Sequence, residues 1–523
     1  MKTTYIDSSR KTFITAILMT IISLNVNAFD ITELKLPNSN KIVLKFMFRN
    51  GSICDPIGKE GLTYTTAKMI TEGGTEGMTS SQIKEKLYPM ASNYYCTVDK
   101  EVTVFTFEVH RDFLAEFYKI AKGLISNPSF LVEDFSRVIS AQQNYVDKVI
   151  RSSSDEEYSK KALEDYLFRG TSYQWMVQGK SASVKNISLD DVKAHYKQFF
   201  SAANLNIGIA GNYTADFVAT LINDMKQLSP TVQPIIPAAP RVKMQEGVNI
   251  EIISKANALG SAIFTGFPIV LNRSGDDFAA LMVANSWLGE HRKSYSLLYQ
   301  KIREARSMNY GDYSYIEWYE SGGQNMLPVP GVPRISNYCS IWLRPVQTAK
   351  GLKGQYPELS SINLGHAYFA LKMAIREMDN MIQQGMTEEQ FSTTRDFLRS
   401  YMKLYVQTPA KRLGFLMDSK FYGRKDYIAE MDILLEKLTL ADVNNAIKKY
   451  WQVQNMCVAI VTDDSEATEL VKSLKTNADA PMSYSNSLKE VLPKSVLAED
   501  EEVAKYKLNV RNVNIVKSED TFR

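Results

Sequence analysis

Apolar residues fall into two rhythms along this chain. Lys41–Ile53 and Tyr94–His110 alternate β-branched or aromatic residues with polar ones, which predicts a strand and a hairpin. Between them Leu62–Thr71 has helical spacing. Asp112–Ile125, Leu131–Ile150 and Glu156–Leu167 repeat their apolar positions at i, i+3, i+4 and read as amphipathic helices. A helix over Leu189–Phe200, a strand over Leu205–Gly211 and a helix over Ala215–Met225 close this stretch. Pro230, Pro234, Pro237 and Pro240 then predict a semi-rigid extended linker.

After the linker the same order returns. Asn249–Ile253 and Ala262–Pro268 read as strands, Asp276–Leu288 as a helix and Ser340–Pro345 as a strand. Two long helices follow, Ala367–Gln384 and Glu388–Val406. At a fixed offset of 251, Leu189, Asp191, Val192, Lys197 and Phe199 face Leu440, Asp442, Val443, Lys448 and Tyr450. Asn204–Ile209 faces Asn455–Ile460 in the same register. A helix followed by a strand, twice, predicts an internal duplication. Strands and long helices without strict alternation give an α+β class. The expected division is 29–230, a Pro-rich linker at 231–247, and 248–475. Residues 476–523 form a polar tail expected to lie along the surface.

Residues 1–28 read as a secretory signal peptide. Lys2, Arg10 and Lys11 form its basic flank, Phe13–Leu24 its apolar stretch and Val26-Asn27-Ala28 its cleavage site. That stretch is too short to span a bilayer, which needs about 20 apolar residues. No later segment is long and apolar enough either, so an exported, periplasmic protein without a membrane span is expected. Lys+Arg total 61 against 58 for Asp+Glu, a balance that speaks against a nucleic-acid partner. The four histidines are His110, His195, His291 and His366; His195 reads as a surface residue, and His291 either lines a cavity or is structural. The spacing of Cys54, Cys96, Cys339 and Cys457 matches no zinc pattern. They read as small core residues, with a Cys54–Cys96 disulfide as the alternative.

Gly51–Thr75 (GSICDPIGKEGLTYTTAKMITEGGT) resembles the N-terminal signature of the insulinase/pitrilysin metallopeptidases and mitochondrial processing peptidases. Leu288–Arg292 and Leu298–Gly311 resemble that family's second-half signature, and Val496–Asp500 the tail of its exported bacterial members. The resemblance implies two homologous α/β-sandwich domains of the processing-peptidase type, forming half of a clamshell around a peptide chamber. It also implies a zinc site built on an H-x-x-E-H helix, where two His lie on one face and the Glu activates water.

This sequence departs from that motif throughout. Aligned on Gly61-Leu62, the ligand positions become Tyr64 and Lys68, and the base becomes Ala67. The third ligand falls near Ser140–Tyr145, which holds no carboxylate. A protonated Lys has no lone pair and Ala moves no proton, so no zinc is expected on this chain. What survives is Arg303 and Tyr310, seven apart in the second-half signature. By resemblance such a pair acts in trans, on a peptide held at a partner's zinc. Arg supplies a fixed charge and Tyr one aimed hydrogen bond to an oxyanion. Arg306, one turn on, reads as solvated or structural. Glu317–Gly323 reads either as a place where a peptide passes or as core. The leading reading is a non-catalytic subunit paired with a homologous H-x-x-E-H subunit that carries the zinc and shares the peptide substrate. The alternative is a catalytically inert peptide-binding or scaffold protein of the same fold.

Overall fold

The computed structural model describes residues 30–228, 234–319, 327 and 329–523. Residues 1–28, read from the sequence as a signal peptide, Pro230 with the start of the linker, and Gly322-Gly323 lie outside the described residues.

Among the described residues the strands form two sheets. The first contains β1 (Asp30–Lys35), β2 (Lys41–Phe48), β3 (Asn93–Val98), β4 (Thr103–His110) and β5 (Leu205–Gly211), in the order β1-β5-β2-β4-β3. The second contains β6 (Val248–Lys255), β7 (Ser261–Ile269), β8 (Asp312–Tyr315), β9 (Asn337–Val346), β10 (Met456–Asp463) and β11 (Val510–Lys517), in the order β11-β6-β10-β7-β9-β8. With β11 set aside, the orders are identical. β1 pairs with β5 as β6 pairs with β10, parallel in both cases. β2 pairs antiparallel with β5 as β7 does with β10. The duplication reaches individual caps. The helices Leu189–Phe199 and Leu440–Tyr450 each begin with a capping box, Ser188 with Asp191 and Thr439 with Asp442.

Each sheet packs its own half's helices on one face and a helix of the other half on the opposite face, as Pro409–Phe421 does against β1, β2 and β5, yielding an α+β architecture of two duplicated domains. The Asp155–Leu167 helix of the first half crosses onto the second sheet against β7 and β10, so Phe264, Trp342 and Val461 join the first half's core. Buried ions tie the same seam. Arg334 donates through Nε and Nη2 to Asp99, both at 2.6 Å, and through Nη1 to Glu164. Its guanidinium also lies 3.9 Å from the Trp318 ring centroid.

The tail does more than lie along the surface. β11 pairs parallel with β6, covering what would otherwise be a sheet edge. The chain then returns to the first half. Phe522 is buried against Tyr158, and Arg151 donates to the carbonyls of Ser518 and Thr521.

Candidate functional site

The helix Leu62–Glu72 carries Tyr64, Ala67 and Lys68. Its start requires a glycine. Gly61 sits at φ 102°, and a Cβ there would come within 2.6 Å of Gln142 Nε2 and of the Gln178 carbonyl oxygen. Two positions after Gly61 the carboxylate of Asp55 accepts from the Thr63 N–H and hydroxyl. Ala67 is fully buried in the first half's core. Lys68 Nζ lies 3.0 Å from Glu72 and 5.7 Å from the Tyr64 ring centroid. Burial opposes its charge, but Cys96, Tyr64 and Glu72 outweigh that and hold the ammonium above its ordinary value. It stays a cation.

The third-ligand stretch lies on the helix Val132–Asn144 and enters a π turn over Tyr145–Val149. There Gln142 closes the space with three hydrogen bonds. Thr65 Oγ1 donates to Gln142 Oε1 at 2.7 Å, while Gln142 Nε2 donates to the Gly61 and Gln178 carbonyls. A phenol held protonated by burial, an ammonium and an amide do not coordinate zinc as imidazole and carboxylate do, and the Ala67 methyl cannot replace the base. The residues present do not fit the metal. Among the described residues no group of three His, Cys, Asp or Glu is placed to hold one.

The second-half pair is built differently. Arg303 sits in a π turn, Tyr299–Glu304, in which the Ala305 N–H donates to the Gln300 carbonyl. Its Nη1 donates to the Tyr310 carbonyl at 3.2 Å, and its guanidinium lies over the rings of Tyr299 and Tyr310 at 4.7 and 5.2 Å. The seven-residue spacing is therefore a helix end plus a turn. Tyr310 is 74% exposed, unusual for a large ring. Neither residue contacts Tyr64, Ala67 or Lys68 among the described residues.

Arg306 is buried and structural, not solvated. Its Nε donates to Asp500 at 2.7 Å, Nη2 to Glu499 at 2.8 Å and Nη1 to the Lys301 carbonyl at 2.6 Å. The tail signature and the second-half signature thus meet in one ionic knot. Sequence reasoning singled out both segments without seeing that they touch.

His195 is also a correction. It is buried, with Nε2 3.0 Å from Thr63 Oγ1, because it shares an inward stripe with Val192 and Phe199. Burial drives its imidazole down to about 3, so it is neutral. His291 is buried and bonds the Tyr315 hydroxyl. Glu317 to Tyr319 are core, with Glu317 paired to Arg273 at 3.0 Å. All four cysteines are free thiols, so the Cys54–Cys96 alternative is not formed.

Two family models match the chain. Insulinase (Peptidase family M16) covers residues 35–176, and Peptidase M16 inactive domain covers 186–334. The chain belongs to the insulinase family and lacks the family's zinc motif. It is 20% identical over 466 residues, 87% of its own length and 99% of the relative's, to the non-peptidase homolog YmxG of Helicobacter pylori. It is 26% identical over 152 residues, 28% of this chain and 32% of the relative, to an uncharacterized zinc protease, SCO5738, of Streptomyces coelicolor. A crystal structure of a peptidase M16 inactive domain from Pseudomonas fluorescens superposes with TM-score 0.69 at 17% identity, covering 84% of this chain and 96% of that one. A protease from Helicobacter pylori gives 0.67 at 12%, covering 84% and 97%.

Proposed function

We propose that this chain is the non-catalytic subunit of an exported zinc metallopeptidase. It supplies half of a peptide chamber, together with Arg303 and Tyr310, to a homologous subunit that holds zinc in an intact H-x-x-E-H. The observation that carries this reading is a contrast in exposure. Ala67 and Gln142 are sealed, whereas Tyr310 stands in solvent beside a guanidinium held by its own backbone carbonyl. A fixed cation and a hydroxyl donor displayed together suit a developing oxyanion on a substrate carbonyl.

The test is reconstitution with a zinc-bearing homologue from the same organism, followed by turnover on peptides. Tyr310→Phe removes one hydroxyl from an exposed ring. It is expected to lower turnover by about 10²–10³ without moving the melting temperature. Arg303→Lys keeps charge but loses the planar fork, and is expected to be damaging too. Unchanged turnover in both variants would sink the trans role and leave the inert peptide-binding or scaffold reading. Recovery of a mature chain starting at Phe29 from the periplasmic fraction checks the export.

A further inference from the structure

The turn that displays Tyr310 is closed by one amide. Asn309 Nδ2 donates to Asp312 Oδ1 at 2.7 Å and to the Arg344 carbonyl at 3.0 Å, while Asn309 Oδ1 accepts the Gly311 N–H at 3.2 Å. Both N–H groups of the amide are thereby used. The Arg344 N–H donates to the Gly311 carbonyl at 3.1 Å and ties the turn to β9. The space is tight: a Cβ on Gly311 would lie 2.1 Å from the Tyr313 hydroxyl. From the π turn, Arg303 Nη1 holds the Tyr310 carbonyl.

Asp312 begins β8 and is fully buried. Its Oδ1 accepts from Asn309, but its Oδ2 is buried with no hydrogen-bond partner among the described residues. An ionised carboxylate with an oxygen unmet is far costlier in such a place than a neutral acid. Burial accordingly lifts this carboxyl well above the ordinary carboxylate range, opposed by Asn309, Arg303 and Arg344. The elements that pack most on β8 are β9, the Phe278–Gly289 helix and the π turn. The helix carries no titratable side chain. On β9 Asp312 lies opposite Leu343, next to Arg344, which is already paired with Glu156. Tyr313 follows it on β8 itself. In the π turn Lys301 pairs with Glu499, Glu304 is exposed and Tyr299 lies against Arg303. That leaves Arg303, a cation with no ion pair among the described residues.

We propose that Asp312 is the positioning residue and pH switch of the displayed pair. As a neutral acid it anchors Asn309 and leaves Arg303 on the Tyr310 carbonyl. On losing its proton to solvent it draws the Arg303 guanidinium inward and lets the Tyr310 turn go. Display is therefore held while Asp312 keeps its proton and is lost as rising pH removes it. The inference rests on the reading of Arg303 and Tyr310 as a displayed pair, and its first test needs no partner.

That test is fluorine NMR on the full mature chain with 4-fluorophenylalanine at position 310, a ring with no titratable group of its own. The signal is followed from about pH 4 to about pH 10, which spans the carboxylate range and well above it. One shift step is expected above the ordinary carboxylate range. Asp312→Asn keeps the size and the acceptor for Asn309 but cannot ionise, so it should hold the acid-side signal at every pH. Should that variant not fold, Arg303→Gln removes the responding cation and should abolish the step as well. No step in the parent chain, or a step that survives in Asp312→Asn or Arg303→Gln, would overturn the proposal. In the reconstituted pair, kcat is expected to fall through the same step toward the level of Tyr310→Phe, with KM unmoved, and Asp312→Asn should remove that fall. Identical kcat profiles in the two would also overturn it. A pair without turnover at any pH rejects the trans reading instead, and the fluorine step then decides the switch alone.

Discussion

Among the described residues two π turns, one in each half, adjoin the positions that align with the family's third zinc ligand and its Arg/Tyr pair. In the first half the turn Tyr145–Val149 follows Gln142 and sets Tyr145 near enough to Tyr64 to act on its ionisation. In the second half the turn Tyr299–Glu304 carries Arg303 and precedes Tyr310. A π turn has poorer hydrogen-bond geometry than an α turn, and recurs where function has re-aimed side chains. Both turns carry exposed polar residues, Lys148 in the first and Gln300 and Glu304 in the second, and the difference lies at the neighbouring site positions. The first is plugged by Thr65 and Gln142; the second leaves Tyr310 in the open. A core helix tolerates exchange of the residues on its face, as long as the volume is filled and every polar group bonded.

The sharpest way to break this contrast is to attack the seam that holds both regions in one body. Arg334→Gln strands the buried carboxylates of Asp99 and Glu164, and should destabilise by about 3–5 kcal/mol in denaturant unfolding. A loss below about 1 kcal/mol would mean that the halves are held by apolar packing alone.

Next comes the pair of arginines one turn apart. Arg306→Lys leaves acceptors on Asp500 and Glu499 unmet and should cost about 1–3 kcal/mol. Arg303→Lys, at a partly exposed site, should stay within about 0.5 kcal/mol. If the two variants melt alike, Arg303 is structural as well, and the open site is an illusion of exposure.

A smaller effect comes from pH. Burial raises the Glu290 carboxyl from 4.5 to about 8, opposed by Ser286, Lys293 and the His291 N–H. Between those values the folded chain holds a proton that the unfolded chain releases. Stability from this group is therefore full below about 4.5 and declines as pH rises toward 8. Glu290→Gln mimics the neutral acid, so it should flatten the melting-temperature slope over that range. A slope identical to wild type would reject the assignment.

The smallest change expected is in metal content. Tyr64→His, Ala67→Glu and Lys68→His together restore the helix motif but not the third ligand, because Gln142 bonds Thr65 and the Gly61 carbonyl. Metal analysis of the triple variant should find less than stoichiometric zinc. One zinc per chain would show that the first-half site is only dormant.

Much of this protein was determined by local pattern. Apolar period alone marked Leu205–Gly211, Ala215–Met225 and Ala367–Gln384, each with the bounds it has in the fold. The offset of 251 reappears in the helix bounds Leu189–Phe199 and Leu440–Tyr450, because caps and apolar stripes are set by residues three or four apart. Loss of the zinc ligands was equally legible, since side-chain identity decides what donates a lone pair. What tertiary structure alone decided is which faces meet. His195 reads as a surface residue and Arg306 as solvated or structural in a helix pattern, and both are buried by partners 132 and 194 residues away. β11 carries a strand's alternation, but only the unpaired edge of β6 gives it a neighbour. Period reports that a face is apolar, or that a side chain is charged. It is silent on what packs there, because a long-range contact depends on the whole chain's closure rather than on its neighbours in sequence.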